Sequence, residues 1–203
     1  MSEVITLVPT GLANLASVRA AFQRLGLMTV LASTPEQIEG ASRVVMPGVG
    51  AYGPAMKELM RRGWADTLRA RIASDRPTLA ICLGHQLLGQ RSDEAPGVTG
   101  LSSIAANASA FEPGVLSPQM GWNQVVPEPD CAVLTEGYAY FANSYRFEEI
   151  PEGWLGAQSV YGGEFVAALE RGNVLSCQFH PELSGAYGSA LLSRWLELTE
   201  ASC

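Results

Sequence analysis

The chain has 203 residues, 47% of them hydrophobic, and a formal net charge of −7. This length allows one α/β domain over residues 1–203 with a sizeable core, and the composition is typical of a packed globular protein. The negative charge is unfavourable for sequence-independent nucleic-acid binding, which needs a basic surface.

Cysteine usage and apolar runs exclude further classes. The four cysteines have no short metal-type spacing and form no disulfide framework, so we expect neither a metal site nor a cofactor. No apolar run approaches the roughly 18 residues of a transmembrane helix, and the N-terminus lacks the pattern of a secretory signal. We therefore expect a protein of the reducing cytoplasm.

The first part of the chain alternates short apolar runs with helical patterns. A buried parallel strand is predicted at residues 4–8, and further strands are predicted at residues 28–32 and 43–46. Helices are predicted to begin at Asn14 (as N-cap), Pro35, Gly53 and Trp64. This alternation predicts a doubly wound α/β sheet with parallel strands. Charged residues of the last two helices are expected on a solvated face: Arg61, Arg62, Arg69 and Arg71.

The third strand runs into Pro47-Gly48-Val49-Gly50, where a rigid proline and two glycines lie beside a sheet edge. Such a loop can turn backbone N–H groups toward a bound oxyanion. Taken alone, the motif is more often an ordinary turn between a strand and a helix, so both interpretations stay open.

The stretch over residues 78–86, TLAICLGHQ, has the pattern of a strand, a sharp turn and a helix. A cysteine on that turn would project from the carboxyl edge of the sheet, where α/β folds keep their sites. The N-terminus of the next helix favours the thiolate over the thiol. Cys82 is therefore a candidate nucleophile, although a buried structural cysteine would show the same local pattern.

The second half of the chain has a different pattern. A polar loop is predicted at residues 91–97, and a helix at residues 185–198 closes the chain. Between them, strands are separated by glycine and proline turns, and they are predicted at residues 104–111, 124–126, 138–147, 154–160 and 165–169.

A last apolar run, over residues 174–179, ends in His180-Pro181-Glu182. The proline restricts the histidine to an extended conformation, and side chains two apart on an extended segment point the same way. Glu182 can therefore lie beside the imidazole of His180 and orient it. Together with Cys82, these are the three groups of an acyl-transfer triad.

The segments ICLGHQLL and QFHPELSG resemble those of the class I, or triad, glutamine amidotransferases, which hydrolyse the side-chain amide of glutamine. The resemblance implies a flavodoxin-like, doubly wound mixed sheet, with Cys82 as nucleophile, His180 as base and Glu182 as orienting carboxylate. It places the oxyanion on the backbone N–H groups of Val49 and Leu83. It also implies glutamine-binding positions at Gly48, Gly50, Gln86, Ser144 and Tyr145.

Structural alternatives remain for some of these positions. Gln86 has the pattern of a polar residue on a partly buried helix, while Ser144 and Tyr145 equally suit a packing pair at a strand end. The Val49 peptide is expected to flip before its N–H points inward, which would keep hydrolysis low until a partner is loaded.

Three further segments, PGVGAYGPAM, PQMGWN and YFANSY, together resemble the glutaminase subunits of imidazole glycerol phosphate synthase over essentially the whole chain. That resemblance implies a heterodimer with a (β/α)8 barrel cyclase subunit, because 203 residues cannot also contain a barrel of about 250. It implies that Met120, Trp122 and Asn123 contact this partner. The alternative for Trp122 is a buried anchor beneath a loop.

The sequence departs from these families in three places. Ala80 replaces a glycine of the elbow, and its methyl group is expected to crowd the turn. The loop over residues 9–14 lacks an acidic, glycine-richer pattern and is given no site role. His85 replaces a methionine and is expected to point along the elbow helix, without a catalytic role.

Two other functions stay open. The triplet GHQ at residues 84–86 is shared with the glutaminase subunits of anthranilate and aminodeoxychorismate synthases. The second alternative is a catalytically silent binding or regulatory module on the same fold.

Overall fold

The structure, a computed structural model, describes residues 4–10 and 15–200. The predicted N-cap Asn14 and most of the loop over residues 9–14 lie outside the described residues. Within the described ranges, no helix combines the length and the apolar character that crossing a membrane requires.

Strands and helices alternate in the first part of the chain, and strands dominate the second. The strands are Val4–Leu7 (β1), Met28–Leu31 (β2), Arg43–Gly48 (β3), Thr78–Cys82 (β4), Arg91–Ser92 (β5), Asn107–Ala110 (β6), Gln119–Pro127 (β7), Gly137–Asn143 (β8), Tyr145–Arg146 (β9), Leu155–Val160 (β10), Glu164–Arg171 (β11) and Val174–Cys177 (β12). The helices are Leu15–Arg24 (α1), Pro35–Gly40 (α2), Tyr52–Arg61 (α3), Trp64–Ala73 (α4), Leu83–Leu87 (α5) and Gly185–Glu200 (α6), with a 3-10 turn at Pro181–Leu183.

The main sheet has nine strands in the order β2-β1-β3-β4-β12-β11-β10-β7-β8. The five strands from β2 to β12 pair in parallel, and the remaining pairs are antiparallel. Because β4 lies between β3 and β12, the carboxyl ends of these three strands meet at one edge of the sheet. This brings the segments after Gly48, Cys82 and Cys177 together although they are far apart in the chain.

Helices cover both faces of the sheet. One face packs on α3 and α4 through buried side chains such as Met56, Leu59 and Leu68. The other face packs on α1 and α6, through Phe22 and Trp195. Both cores consist almost entirely of apolar side chains removed from water, which is the main stabilising contribution to such a fold. The predicted doubly wound mixed sheet is confirmed.

Most predicted strands differ from the observed ones by up to three residues at an end, and two differ by more. Strand β7 begins at Gln119 instead of residue 124, because its first half pairs with β8 although Met120 and Trp122 are exposed there. The predicted strand over residues 138–147 is interrupted at Ser144, where the chain leaves β8 and enters a separate small sheet through β9.

The prediction of a solvated face for all four arginines is wrong for Arg71, which is only 3% exposed. Its guanidinium donates hydrogen bonds to the Thr78 hydroxyl and to the backbone carbonyls of four residues around it, Ile38, Ala41, Ser42 and Pro77. A buried charge of this kind needs such partners, because desolvation without hydrogen bonds is costly. Arg71 therefore connects α4 with the end of α2 and the starts of β3 and β4.

Candidate active site

The sharp turn between β4 and α5 places Cys82 at the carboxyl edge of the sheet. Cys82 has φ 53° and ψ −109°, a conformation that a residue with a side chain rarely adopts. Such strain costs on the order of 1–3 kcal/mol and persists only where the surrounding structure imposes it. The next residue, Leu83, begins α5, so the sulfur lies at the helix N-terminus.

Two glycines make this turn possible through their lack of a side chain. A Cβ on Gly84 would lie 2.1 Å from the carbonyl oxygen of Met46, and one on Gly48 would lie 2.7 Å from the Gly84 nitrogen. The end of β3 and the start of α5 are therefore in direct backbone contact beside the nucleophile. The predicted crowding by Ala80 does not involve this turn, because its methyl group is buried in the core within β4.

His180 follows β12, and its position is set by both backbone and side-chain contacts. Its N–H donates to the carbonyl of Tyr140 at 2.9 Å, and its Nδ1 lies 2.8 Å from Glu182 Oε1. With Nδ1 engaged by the carboxylate, the other ring nitrogen is left free to act on Cys82, which lines the same cavity. Burial lowers the pKa of His180, but the hydrogen bonds and charges of Cys82 and Glu182 outweigh it and raise the pKa to about 10.

Cys82 and His180 open into one cavity of about 310 Å³. A cavity of this size is at the lower end of the range for small-molecule sites. Its lining comprises Val49, Gly50, Cys82, Leu83, Gln86, Glu94, Ala142, Asn143, Ser144, Tyr145 and His180. Most of the predicted glutamine-binding and oxyanion positions are therefore brought together, while Gly48 contacts Leu83 and Gly84 next to the cavity.

Gln86 presents an acceptor to this cavity. Its Nε2 donates to the carbonyl of Tyr145 at 2.9 Å and to Oε1 of Gln178 at 3.0 Å. Both amide protons therefore have protein partners, and Oε1 is the polar atom that remains for a ligand. This acceptor suits a cationic group better than a carboxylate.

Glu94 is a cavity residue that sequence reasoning missed. It lies in the loop after β5, and its Oε2 accepts a hydrogen bond from the backbone N–H of Tyr52, 2.9 Å away. Nothing in the local sequence distinguishes it from the neighbouring Asp93, because only the fold of this loop against α3 turns one carboxylate toward the cavity.

His85 does not line the cavity. Its ring is fully buried, with Nδ1 2.6 Å from the Ser176 hydroxyl and the ring centroid 4.5 Å from that of Phe147. Burial lowers the pKa of His85 to about 3, so the imidazole is neutral. In the described part of the chain, no three His, Cys, Asp or Glu residues could together hold a metal ion.

The predicted partner-contact residues lie on the ribbon formed by β7 and β8. Met120 is 68% exposed and Trp122 is 57% exposed, so the alternative of a buried Trp122 is wrong. Asn123 is held within the chain, because its Nδ2 donates to the carbonyl of Val160 at 2.6 Å. The ribbon adjoins the cavity, since Met120 pairs with Ala142, which lines it.

The fold and the cavity define a class of protein, and the similarity of this chain to known proteins identifies that class. Residues 12–197 match the family model of the class I glutamine amidotransferases. The structure is similar to the crystal structure of a glutamine amidotransferase, with a TM-score of 0.78 and 21% identity over 97% of this chain and 98% of that one. The chain therefore belongs to the class I glutamine amidotransferase family, and the predicted family is confirmed.

More specific similarities come from curated relatives. The chain is 38% identical to imidazole glycerol phosphate synthase subunit HisH of Methanothermobacter thermautotrophicus, over 98% of this chain and 100% of that one. It is 39% identical to the subunit of the same name of Salmonella typhimurium, over 96% and 99%. It is also 40% identical to imidazole glycerol phosphate synthase hisHF of Arabidopsis thaliana, of whose length it spans about a third (34%).

Proposed function

We propose that this chain is the glutaminase subunit of imidazole glycerol phosphate synthase. It hydrolyses glutamine to glutamate and ammonia and passes the ammonia to a (β/α)8 cyclase subunit in histidine biosynthesis. The observation that carries the proposal is the 38–39% identity to HisH subunits over nearly the full length of both chains. The opening of Cys82 and His180 into one cavity, with Glu182 hydrogen-bonded to the imidazole, supports it.

Glutamine binds with its side-chain amide at Cys82 and its α-amino acid end toward the loops. The acceptor Oε1 of Gln86 and the carboxylate of Glu94 bind the α-ammonium group. The α-carboxylate needs donors, which the backbone and hydroxyl groups of Ser144 and Tyr145 supply. Gly50 keeps the opposite wall free of a side chain.

The first half of the reaction forms a thioester. The Cys82 thiolate attacks the γ-carboxamide carbon, and the N–H groups of Val49 and Leu83 stabilise the oxyanion of the tetrahedral intermediate. Each well-aimed donor of this kind contributes about 3–4 kcal/mol to lowering the barrier. The C–N bond then breaks as the imidazolium of His180 gives its proton to the leaving nitrogen, which departs as ammonia.

The second half regenerates the thiolate. His180, now neutral, takes a proton from water, which attacks the γ-glutamyl thioester carbon. The C–S bond breaks, glutamate leaves, and the imidazolium and thiolate are restored. Throughout, Glu182 holds the imidazole in position and stabilises its positive charge.

Ammonia must reach its acceptor before it is lost to solvent, so the acceptor site lies in a partner that covers the cavity. The ribbon of β7 and β8 is suited to that contact, because Trp122 pairs with Tyr140, whose carbonyl holds His180. The cyclase subunit uses the ammonia to make imidazole glycerol phosphate and an aminoimidazole carboxamide ribonucleotide.

Glutamine hydrolysis by the purified chain, alone and with the cyclase subunit and its nucleotide substrate, tests the proposal. We expect glutamate release to rise when the loaded cyclase is present and to vanish in Cys82→Ala. Cys131→Ala is the control and should keep full activity, because this half-buried cysteine is hydrogen-bonded to the Gly156 carbonyl and does not line the cavity. Absence of hydrolysis with the cyclase bound would favour the silent module, and stimulation by a chorismate-binding chain would favour the other synthases.

A further inference from the structure

A second glutamine lies directly behind the nucleophile. Gln178 follows β12, two residues before His180, and its side chain is completely buried. Its backbone N–H donates to the carbonyl of Ala167 at 2.8 Å, and its Nε2 lies 3.9 Å from Cys82 Sγ. The mechanism above gives this carboxamide no role, although it contacts the reacting atom.

The orientation of the Gln178 carboxamide follows from its neighbours. The Tyr145 carbonyl can only accept a hydrogen bond, so the nearby amide atom of Gln86 must be its nitrogen, at 2.9 Å. The same nitrogen faces Gln178 at 3.0 Å, so Gln178 must present its oxygen there. Its Nε2 is therefore left facing Cys82. One backbone carbonyl thus sets the direction of two carboxamides in series.

We propose that Gln178 is a further catalytic residue, whose Nε2–H donates a hydrogen bond to the Cys82 thiolate and whose Oε1 holds Gln86 in place for the substrate. The proposal rests on the proposed function only in taking Cys82 as the nucleophile.

The surroundings of the sulfur explain why the thiolate needs this donor. The neutral thiol of Cys82 donates to the carbonyl of Ala142, 3.8 Å away, an acceptor that can only repel an anion. The site is buried, so solvent is a poor source of compensating hydrogen bonds. The Gln178 amide donates to the sulfur from 3.9 Å, and it adds to the attraction between Cys82 and His180 that raises the pKa of the imidazole. Loss of the Gln178 amide therefore favours the thiol form of Cys82 over the thiolate.

Gln178→Leu and Gln178→Glu test this through the pH dependence of Cys82 alkylation by iodoacetamide, which requires neither glutamine nor a partner. A hydrogen bond to a charged group makes a midpoint shift of about 1–2 pH units the expected size for the leucine variant. The shift should go to higher pH and be larger for the glutamate variant, because a carboxylate repels the thiolate. Gln158→Leu, on β10 and away from the cavity, is the control with an unchanged midpoint.

A purely structural role predicts a different outcome. Folded Gln178 variants with the wild-type midpoint would overturn the proposal, even if their melting temperature or turnover fell. If the wild-type protein does not hydrolyse glutamine but the Gln178 variants still shift the alkylation midpoint, only the proposed function is contradicted.

The wild-type protein provides a test that does not depend on the stability of the variants. The side-chain 15N–1H resonances of Gln178 should move with pH at the same midpoint as the alkylation rate. In Cys82→Ala this movement should be lost. Gln178 side-chain resonances that stay unchanged while Cys82 ionises would refute the hydrogen bond between them.

Discussion

The chain has two histidines, and folding shifts their pKa values in opposite directions. Burial lowers the pKa of His85 from 6.5 to about 3. For His180, burial also lowers the pKa, but the hydrogen bonds and charges of Cys82 and Glu182 raise it to about 10. A lowered pKa adds stability that is present above pH 6.5 and is lost as pH falls toward 3. A raised pKa adds stability that is present below pH 6.5 and is lost as pH rises toward 10.

Ring 15N NMR resolves the two histidines directly and checks both shifts. We expect His85 to stay neutral down to the pH at which the protein unfolds. His180 should stay an imidazolium until the pH approaches 10. In Cys82→Ala the transition of His180 should move to lower pH, because the sulfur that stabilises the cation is gone. Either histidine titrating near 6.5 in the folded wild type would contradict the corresponding shift.

Sequence reasoning found the residues that carry a local signature and missed those that do not. Cys82 sits between a strand pattern and a helix pattern, and His180 precedes a proline, so both have informative neighbours. Gln178 and Glu94 act through partners that are remote in the chain. Their proximity to the sulfur depends on the pairing of β12 with β4 and on the path of a loop, which periodicity does not encode.

At the scale of elements, Arg71 shows where pattern reasoning fails. Four arginines on two neighbouring helices have the pattern of a solvated face, and Arg61 does pair with Glu58 in solvent. Arg71 instead lies where the end of α2 and the starts of β3 and β4 turn several backbone carbonyls toward the same buried point. The need for a buried donor there arises only after the elements have packed.

We expect Arg71→Met to lower the free energy of unfolding by about 3 kcal/mol or more, because five acceptors lose the guanidinium and each one left unsatisfied costs about 1–3 kcal/mol. Urea unfolding followed by circular dichroism measures the change. Arg61→Met, which removes an exposed arginine from the neighbouring helix, should leave the unfolding midpoint unchanged. Equal midpoints for the two variants would show that the Arg71 hydrogen bonds add nothing to stability.

Strand prediction from local pattern fails for the same reason, because strand pairing arises only after the elements have packed. The first half of β7 is a strand because it pairs with β8, from Gln119 opposite Asn143 onward. Its alternating pattern is inverted relative to a core strand, since Met120 and Trp122 face outward. A prediction rule that places apolar residues in the core therefore assigns this edge ribbon, whose apolar side chains are exposed, to a loop.

At the scale of the whole molecule, exposed apolar side chains occur at both ends of the nine-stranded sheet. At one end are Met120 and Trp122 on the β7–β8 ribbon, and at the other are Met28 and Val30 on β2. Exposure alone therefore does not locate a partner. The distinction is that the ribbon adjoins the cavity through Ala142, whereas β2 lies beyond β1 and β3 from Cys82.

This asymmetry predicts which end of the sheet binds the proposed cyclase subunit. We expect Trp122→Ala to weaken binding about 30-fold, because a central aromatic residue at an interface commonly contributes about 2 kcal/mol or more. Met120→Ala should weaken it less, and the matched Met28→Ala should leave the affinity unchanged. Isothermal titration calorimetry with the purified cyclase subunit measures all three. Equal losses from Met120→Ala and Met28→Ala, or an unaltered affinity in Trp122→Ala, would mean that the cyclase subunit does not bind at the ribbon.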